Sequence, residues 1–357
     1  MHTTQELQLL ARLGLARCAQ ALPWPPGTRH TNHAAADAER RMLASLQVAW
    51  PALPLAAARQ LQRRHQHAMH SCRLVQAHLA TLAAPELVSY LDRHVSVQGE
   101  VQGQTVLDLV RNDARPVVFV TPHYGPFGLG CLKLIQAIGR QKTVNAFYDP
   151  PAKNPSSAGF EALLKGLGYG FNPLFNDSTA VLKALRVLKR GEALTMMPDV
   201  FDISGHVLYV PFFGRLVPAM AGTALFAIKS QARVVVGYSC PGAGLQTTVQ
   251  LGAPMEPQRT GVLEADIASL TASIFRDMER QIRQAPEHWA YLPGIGDLLR
   301  GQWPLGQARQ ADWLQALQDI APQVQTEWPD LAQAVHEALA LQGGLATAGL
   351  APTGHPV

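Results

Sequence analysis

From Val117 to Leu251 the sequence repeats one alternation: a short apolar run, a turn residue, a stretch of helical periodicity, then another short run. Val117-Val-Phe-Val-Thr121 is the clearest of these runs. It is rich in β-branched residues and lacks a polar alternate, so it reads as a strand buried on both faces. Further strands are predicted at 143–148, 170–174, 193–197, 207–213, 233–238 and 246–251, and helices at 129–138, 156–167, 178–189, 222–230 and 263–284. Strands interleaved with helices place both faces of the sheet under cover. The predicted fold class is therefore α/β, a mixed central sheet flanked by helices.

Two helical regions flank this core. Residues 5–22 read as a short helix, and 36–94 as helical with a break near Pro51 and Pro54. The predicted organisation is an N-terminal helical segment, 1–95, packed on an α/β core, 96–300. A helical extension, 301–342, and a disordered tail of Gly, Ala and Pro, 343–357, complete it.

Composition narrows the partners. Of the 357 residues 47% are hydrophobic and only 16% charged, so some apolar surface suited to a lipid, membrane or protein partner is expected. The net charge of +4 fits an acidic partner such as a phosphorylated substrate, an acidic carrier protein or an anionic membrane. No dense Lys/Arg stripe with interleaved aromatics points to nucleic acid. The cysteines, Cys18, Cys72, Cys131 and Cys240, are scattered without a CxxC pair, which argues for a reducing cytoplasm rather than zinc or disulfides. Met1–Gln8 is polar without a basic leader, and Arg12 and Arg17 interrupt the apolar stretch after it. Neither a signal peptide nor a membrane span is expected there.

The chemistry concentrates after the first core strand. His123 stands just past it, in a turn with Gly125 and Gly128 and before a helix. Open α/β sheets bind ligands beyond the carboxyl ends of their strands. A histidine there can serve as a base near neutral pH, and the helix N-terminus favours developing negative charge. Tyr124 and Phe127 are expected as pocket walls. Asp199 and Asp202 follow another strand on the same expected edge.

Other candidates carry less. His67 and His70 share a helix face, but no Cys or carboxylate near them completes a metal site, so they read with His65 as a polar surface. Arg59, Arg63, Arg64 and Arg73 on the same stretch read as solvated, or as a dock for an acidic carrier or headgroups. Cys131 falls on an apolar helix face and reads as core. His206 reads as a surface residue. Arg215, after Phe213 and Gly214, is placed to hold a phosphate of a phosphopantetheine arm.

From Ser45 to Trp289 an ordered set of segments resembles the lipid A biosynthesis acyltransferase family, a branch of the glycerophospholipid acyltransferase superfamily. Leu46-Gln-Val-Ala-Trp-Pro51 is similar to its early N-L-x-x-x-F-P segment, and Val117 to Gly128 to its strand and H-x-G-N-W-E motif. Tyr148-Asp-Pro-Pro-Ala-Lys-Asn-Pro155 resembles Y-R-P-x-x-N-P, which brings in Asn154. Lys189-Arg-Gly191 to Asp199 resembles L-x-x-G followed by D-Q. Val210-Pro-Phe-Phe-Gly214 resembles V-x-F-F-G, and Ile282 to Trp289 resembles I-R-x-x-P-E-x-W.

The resemblance implies acyl transfer from a carrier-protein thioester to a hydroxyl, with the motif histidine as base and the acid of H-x4-D/E orienting its ring. No cofactor is implied. Here the histidine is His123, but Gly128 occupies the acid's position. Asp149 and Val200 replace the arginine of Y-R-P and the glutamine of D-Q, the arginines expected soon after Trp289 are missing from Ala290-Tyr-Leu-Pro-Gly294, and so is the family's apolar N-terminal anchor. These departures point away from lipid A and towards a soluble acceptor, itself carrier-bound in one version, brought by an acyl or peptidyl carrier protein. Peripheral membrane contact is compatible with them.

His123 and Asp199 are thus expected to be catalytic, with either Asp199 or Asp202 able to take the absent acid's place. Tyr124, Gly125, Phe127, Gly128, Asn154, Phe213 and Arg215 are expected to bind substrate, and amides from Gly125 to Gly128, or Arg215, to hold the oxyanion. The competing readings are an inactive scaffold that binds an acyl chain or a carrier, and a thioester hydrolase. An acid within reach of the His123 imidazole separates the enzyme from the scaffold.

Overall fold

The computed structural model of the protein describes residues 32–79, 82–148, 164, 166–175, 179–200, 207–213, 215–242 and 246–299. The predicted helices over 5–22, 156–167 and 301–342 and the tail from 343 lie wholly or mainly outside these residues.

Three helices come first: α1 (Asn32–Ala49), α2 (Leu55–Leu79) and α3 (Ala84–His94). The predicted break at Pro51 and Pro54 separates the first two. After β1 (Val95–Gln98), a small ribbon of β2 (Glu100–Val101) and β3 (Gln104–Thr105), and α4 (Val106–Asn112), the core alternation begins. It runs β4 (Val117–Val120), α5 (Phe127–Ile138), β5 (Val144–Tyr148), β6 (Phe171–Phe175), α6 (Ala180–Lys189) and β7 (Ala193–Met196). A hairpin of β8 (Val207–Phe212) and β9 (Arg215–Met220) precedes α7 (Gly222–Ser230), β10 (Arg233–Pro241), β11 (Thr247–Leu251) and α8 (Leu263–Gln284). Two 3₁₀ turns, Pro286–His288 and Leu292–Gly294, lead to α9 (Ile295–Leu299).

The predicted mixed sheet flanked by helices is present. Seven strands are ordered β1-β11-β10-β4-β7-β5-β6. The five from β10 to β6 are parallel, while β11 pairs antiparallel with β10 and parallel with β1. The period of two along each strand sorts its side chains to opposite faces. Val118 and Val120 of β4 join one core with α1, α7, α8 and the β8–β9 hairpin, whereas Val117 and Phe119 join another with α3, α4 and α5. This is why β4 reads as a continuous apolar run.

α8 buries Ile267, Leu270, Ile274, Phe275, Met278 and Ile282, a helical stripe that fixes its axis against the sheet. Its C-terminal end therefore delivers residues 285–291 to the carboxyl ends of the strands. Among the described residues no helix is long and apolar enough to cross a membrane.

Candidate active site

The register of two neighbouring parallel strands builds the site. Val120 of β4 lies opposite Met196 of β7, and the Thr121 amide continues the ladder to the Met196 carbonyl at 2.9 Å. Counting the same number of residues beyond each partner reaches His123 on one strand and Asp199 on the other. Their side chains meet: His123 Nδ1 lies 2.9 Å from Asp199 Oδ1. The carboxylate's other oxygen accepts the His123 backbone N–H at 2.8 Å. A third donor arrives from the segment after α8, where Trp289 Nε1 donates to the same Oδ2 at 3.1 Å.

Asp199 is 0% exposed, so these three donors compensate the loss of water around its charge. A carboxylate can only accept, so in the neutral imidazole the proton sits on Nδ1 and the lone pair on Nε2. The ring sits between two aromatic edges, Phe127 at 4.9 Å and Tyr291 at 5.2 Å between centroids, which restricts its rotation. Burial, and then the charge of Asp199, raises the Tyr291 phenol pKa, so this neighbour is uncharged at neutral pH.

The segment around Trp289 also clamps the turn through its backbone. Tyr124 and Trp289 form an antiparallel bridge, with the Gly125 amide on the His288 carbonyl at 2.8 Å and the Ala290 amide on the His123 carbonyl at 2.9 Å. The clamp is held in turn by α2, where His65 Nδ1 donates to the Glu287 carbonyl at 3.0 Å and Arg64 pairs with the Glu287 carboxylate at 3.3 Å. Burial lowers the pKa of His65, opposed by its bond to Glu287, and burial likewise lowers that of His288. Gly125 has φ +57, and a Cβ there would lie 2.0 Å from the Ser239 carbonyl oxygen of β10. Only glycine fits this turn.

Several expectations need correction. Tyr124 is 1% exposed and is core rather than pocket wall: its hydroxyl donates to the Ala285 carbonyl at 3.2 Å and accepts from Gln281 Nε2 at 3.2 Å. The Gly125 amide is committed to His288 and cannot serve an oxyanion. Phe213, 5% exposed, packs its ring against Trp50 at 5.1 Å instead of lining an open site. Its amide donates to Glu279 Oε2 at 2.7 Å.

Phe127 remains beside the histidine. Gly128 lies in the first turn of α5, and its amide has no acceptor among the described residues. A Cβ on Gly128 would meet only Gln76 Nε2 within 4 Å, at 3.8 Å, so sterics do not explain the missing acid. Asn154, Asp202 and His206 lie outside the described residues, as does the side chain of Arg215. The Cys131 thiol is pushed up in pKa by burial and is unsuited to attack. Among the described residues no group of three or more His, Cys, Asp or Glu is placed to hold a metal ion. No sequence pattern assigns a role to Trp289 or Tyr291, although Trp289 ends the segment similar to I-R-x-x-P-E-x-W.

A histidine hydrogen-bonded to a buried carboxylate thus stands at the carboxyl edge of the α/β sheet. Residues 58–293 match the family of bacterial lipid A biosynthesis acyltransferases, and the chain belongs to that family. No curated protein matches it significantly. The protein is accordingly an acyltransferase by family.

Proposed function

We propose that the protein transfers an acyl group from a thioester to a hydroxyl or amine, with His123 as general base and Asp199 as the residue that orients it. In this reading Nε2 takes the acceptor's proton as its oxygen or nitrogen attacks the thioester carbonyl. The tetrahedral oxyanion is met by the Gly128 amide at the N-terminus of α5. Collapse breaks the C–S bond, and the imidazolium returns the proton to the departing thiolate, so no group on the enzyme is consumed.

The supporting observation is the 2.9 Å contact between His123 Nδ1 and Asp199 Oδ1. It supports Asp199 as the acid that the motif position lacks, and with it the enzyme over the scaffold. The donor is proposed to be a phosphopantetheine thioester on an acyl or peptidyl carrier protein, or on coenzyme A. The absence of arginines from Ala290-Tyr-Leu-Pro-Gly294 favours a soluble acceptor over a phosphorylated glycolipid. A cytoplasmic site of action follows from such a donor.

The test is incubation with a panel of acyl thioesters and acceptors, read by intact mass. Acceptor-dependent acyl transfer, lost in His123→Ala, is the expected result. Acyl release without an acceptor supports hydrolysis instead, and full transfer by His123→Ala overturns the mechanism.

A further inference from the structure

The connection between β8 and β9 holds a conformation that its sequence does not favour. Phe213, the first residue after β8, has φ +50, in the left-handed region. Hairpin turns with positive φ at that point favour Asn, Asp or Gly, because a Cβ crowds the backbone there. The Phe213 ring is buried, edge-on to Trp50 at 5.1 Å and to Phe212 at 4.8 Å. Strain of this kind persists only where the surrounding groups over-determine it.

α8 supplies those groups. Glu279 Oε2 accepts the Phe213 N–H at 2.7 Å, and its Oε1 accepts from Arg283 Nε at 2.7 Å. The Arg283 guanidinium carbon lies 4.4 Å from the centroid of the Phe213 ring, a cation over an aromatic face. Phe275 packs edge-on against Phe212 at 5.6 Å. Phe275, Glu279 and Arg283 recur every four residues, so they form one ridge of α8 directed at the turn. Phe212 is fully buried and also meets Trp289, with 6.0 Å between ring centroids. The Trp289 indole is the one that donates to Asp199.

We infer that Glu279 is a positioning residue: by pinning the Phe213 amide it keeps Phe212 against Trp289, and so keeps the indole on the Asp199 carboxylate. A carboxylate suits the task because each oxygen has its own partner. One fixes the strained amide, and the other is aimed by Arg283, whose cation also covers the ring. Without Glu279 the turn can relax towards negative φ, which moves the end of β8 and the Phe212 ring with it. Glu279 has no hydrogen bond to His123 or Asp199 among the described residues, so the inferred route to the histidine runs through Trp289. The consequence for rate rests on His123 as the base of the proposed transfer, whereas the consequence for the indole does not.

The test is nuclear magnetic resonance of the Trp289 indole N–H in the full chain, assigned by its loss in Trp289→Phe, together with single-turnover acyl transfer. In Glu279→Ala the indole signal is expected to shift and its exchange with solvent to quicken about tenfold. Transfer is expected to slow roughly three- to tenfold. Glu279→Gln keeps an oxygen for the Phe213 amide and is expected to retain more of both than Glu279→Ala. Arg283→Ala, at the exposed end of the ridge, should shift the indole signal in the same direction and by less, which carries the test if Glu279→Ala does not fold. Added to Trp289→Phe, Glu279→Ala should change the rate less than about twofold, because both act through one bond. An indole signal unmoved in Glu279→Ala and Arg283→Ala overturns the inference, as does a double variant whose rate losses multiply in full. If the wild type transfers no acyl group from any thioester, the proposed function fails, and the indole signal alone decides this one.

Discussion

Replacing Trp289 with phenylalanine removes a single donor from the buried carboxylate and leaves most of the packing in place. The indole N–H lies 3.1 Å from Asp199 Oδ2, and Asp199 has no access to water that could replace it. Phenylalanine still fills the space against Phe212 and Tyr291, whose ring centroids are 6.0 and 6.2 Å from the indole. A hydrogen bond to a charged acceptor contributes about 1.5–3 kcal/mol, so urea unfolding should show a loss in that range. The same bond pins Oδ2 and so aims Oδ1 at His123. If half or more of the lost energy bears on that aim, the single-turnover transfer rate falls on the order of tenfold. The two bonds from His123 remain, which keeps the loss below that of removing the acid. The readouts are a urea titration and rapid-quench acyl transfer. A variant within about 0.5 kcal/mol of wild-type stability and twofold of its rate would show that the indole does not hold the carboxylate.

Two further perturbations probe the turn and its clamp. Gly125→Ala forces a Cβ to 2.0 Å from the Ser239 carbonyl at positive φ, a cost of about 2–5 kcal/mol in thermal unfolding; a melting temperature equal to wild type would mean that the turn can relax. His65 and His288 both have folded pKa values below the usual histidine value of 6.5. The folded state thus binds fewer protons than the unfolded chain, and the stability this brings is complete above pH 6.5 and lost as pH falls through the lower folded values. Melting temperatures should be level from about pH 7 to 8 and decline towards pH 5, with a smaller decline in His65→Gln; a profile flat or rising towards acid contradicts the assignment.

Much of the core was legible because its strands are short, apolar and bounded by turns. The predicted helix over 263–284 coincides with α8, and the strand before His123 with β4. β9 was missed because Pro218 and the neighbouring Gly214 interrupt it, yet in a two-stranded ribbon Pro218 simply lies opposite Tyr209. β1 was missed because four residues, Val95–Gln98, carry too short an alternation. Asp199 could be placed on the right edge from sequence, but its adjacency to His123 depends on β7 neighbouring β4, and strand order is not written in local periodicity. The clamp at Trp289 is harder still: isolated bridges and an indole bond have no spacing signature. The burial of Tyr124 is hidden for a related reason, since adjacency to the turn histidine does not decide which way a side chain points.

If Asp199 stands in for the acid missing at position 128, Asp199→Asn should disable the histidine. The amide's one oxygen goes to the two donors on Oδ2, which leaves its NH₂ facing Nδ1 and drives the imidazole proton to Nε2, the wrong nitrogen for a base. Single-turnover acyl transfer should fall on the order of 10²–10⁴-fold, with little further loss when His123→Ala is added. A variant that folds and transfers acyl groups within about threefold of the wild-type rate would contradict the account.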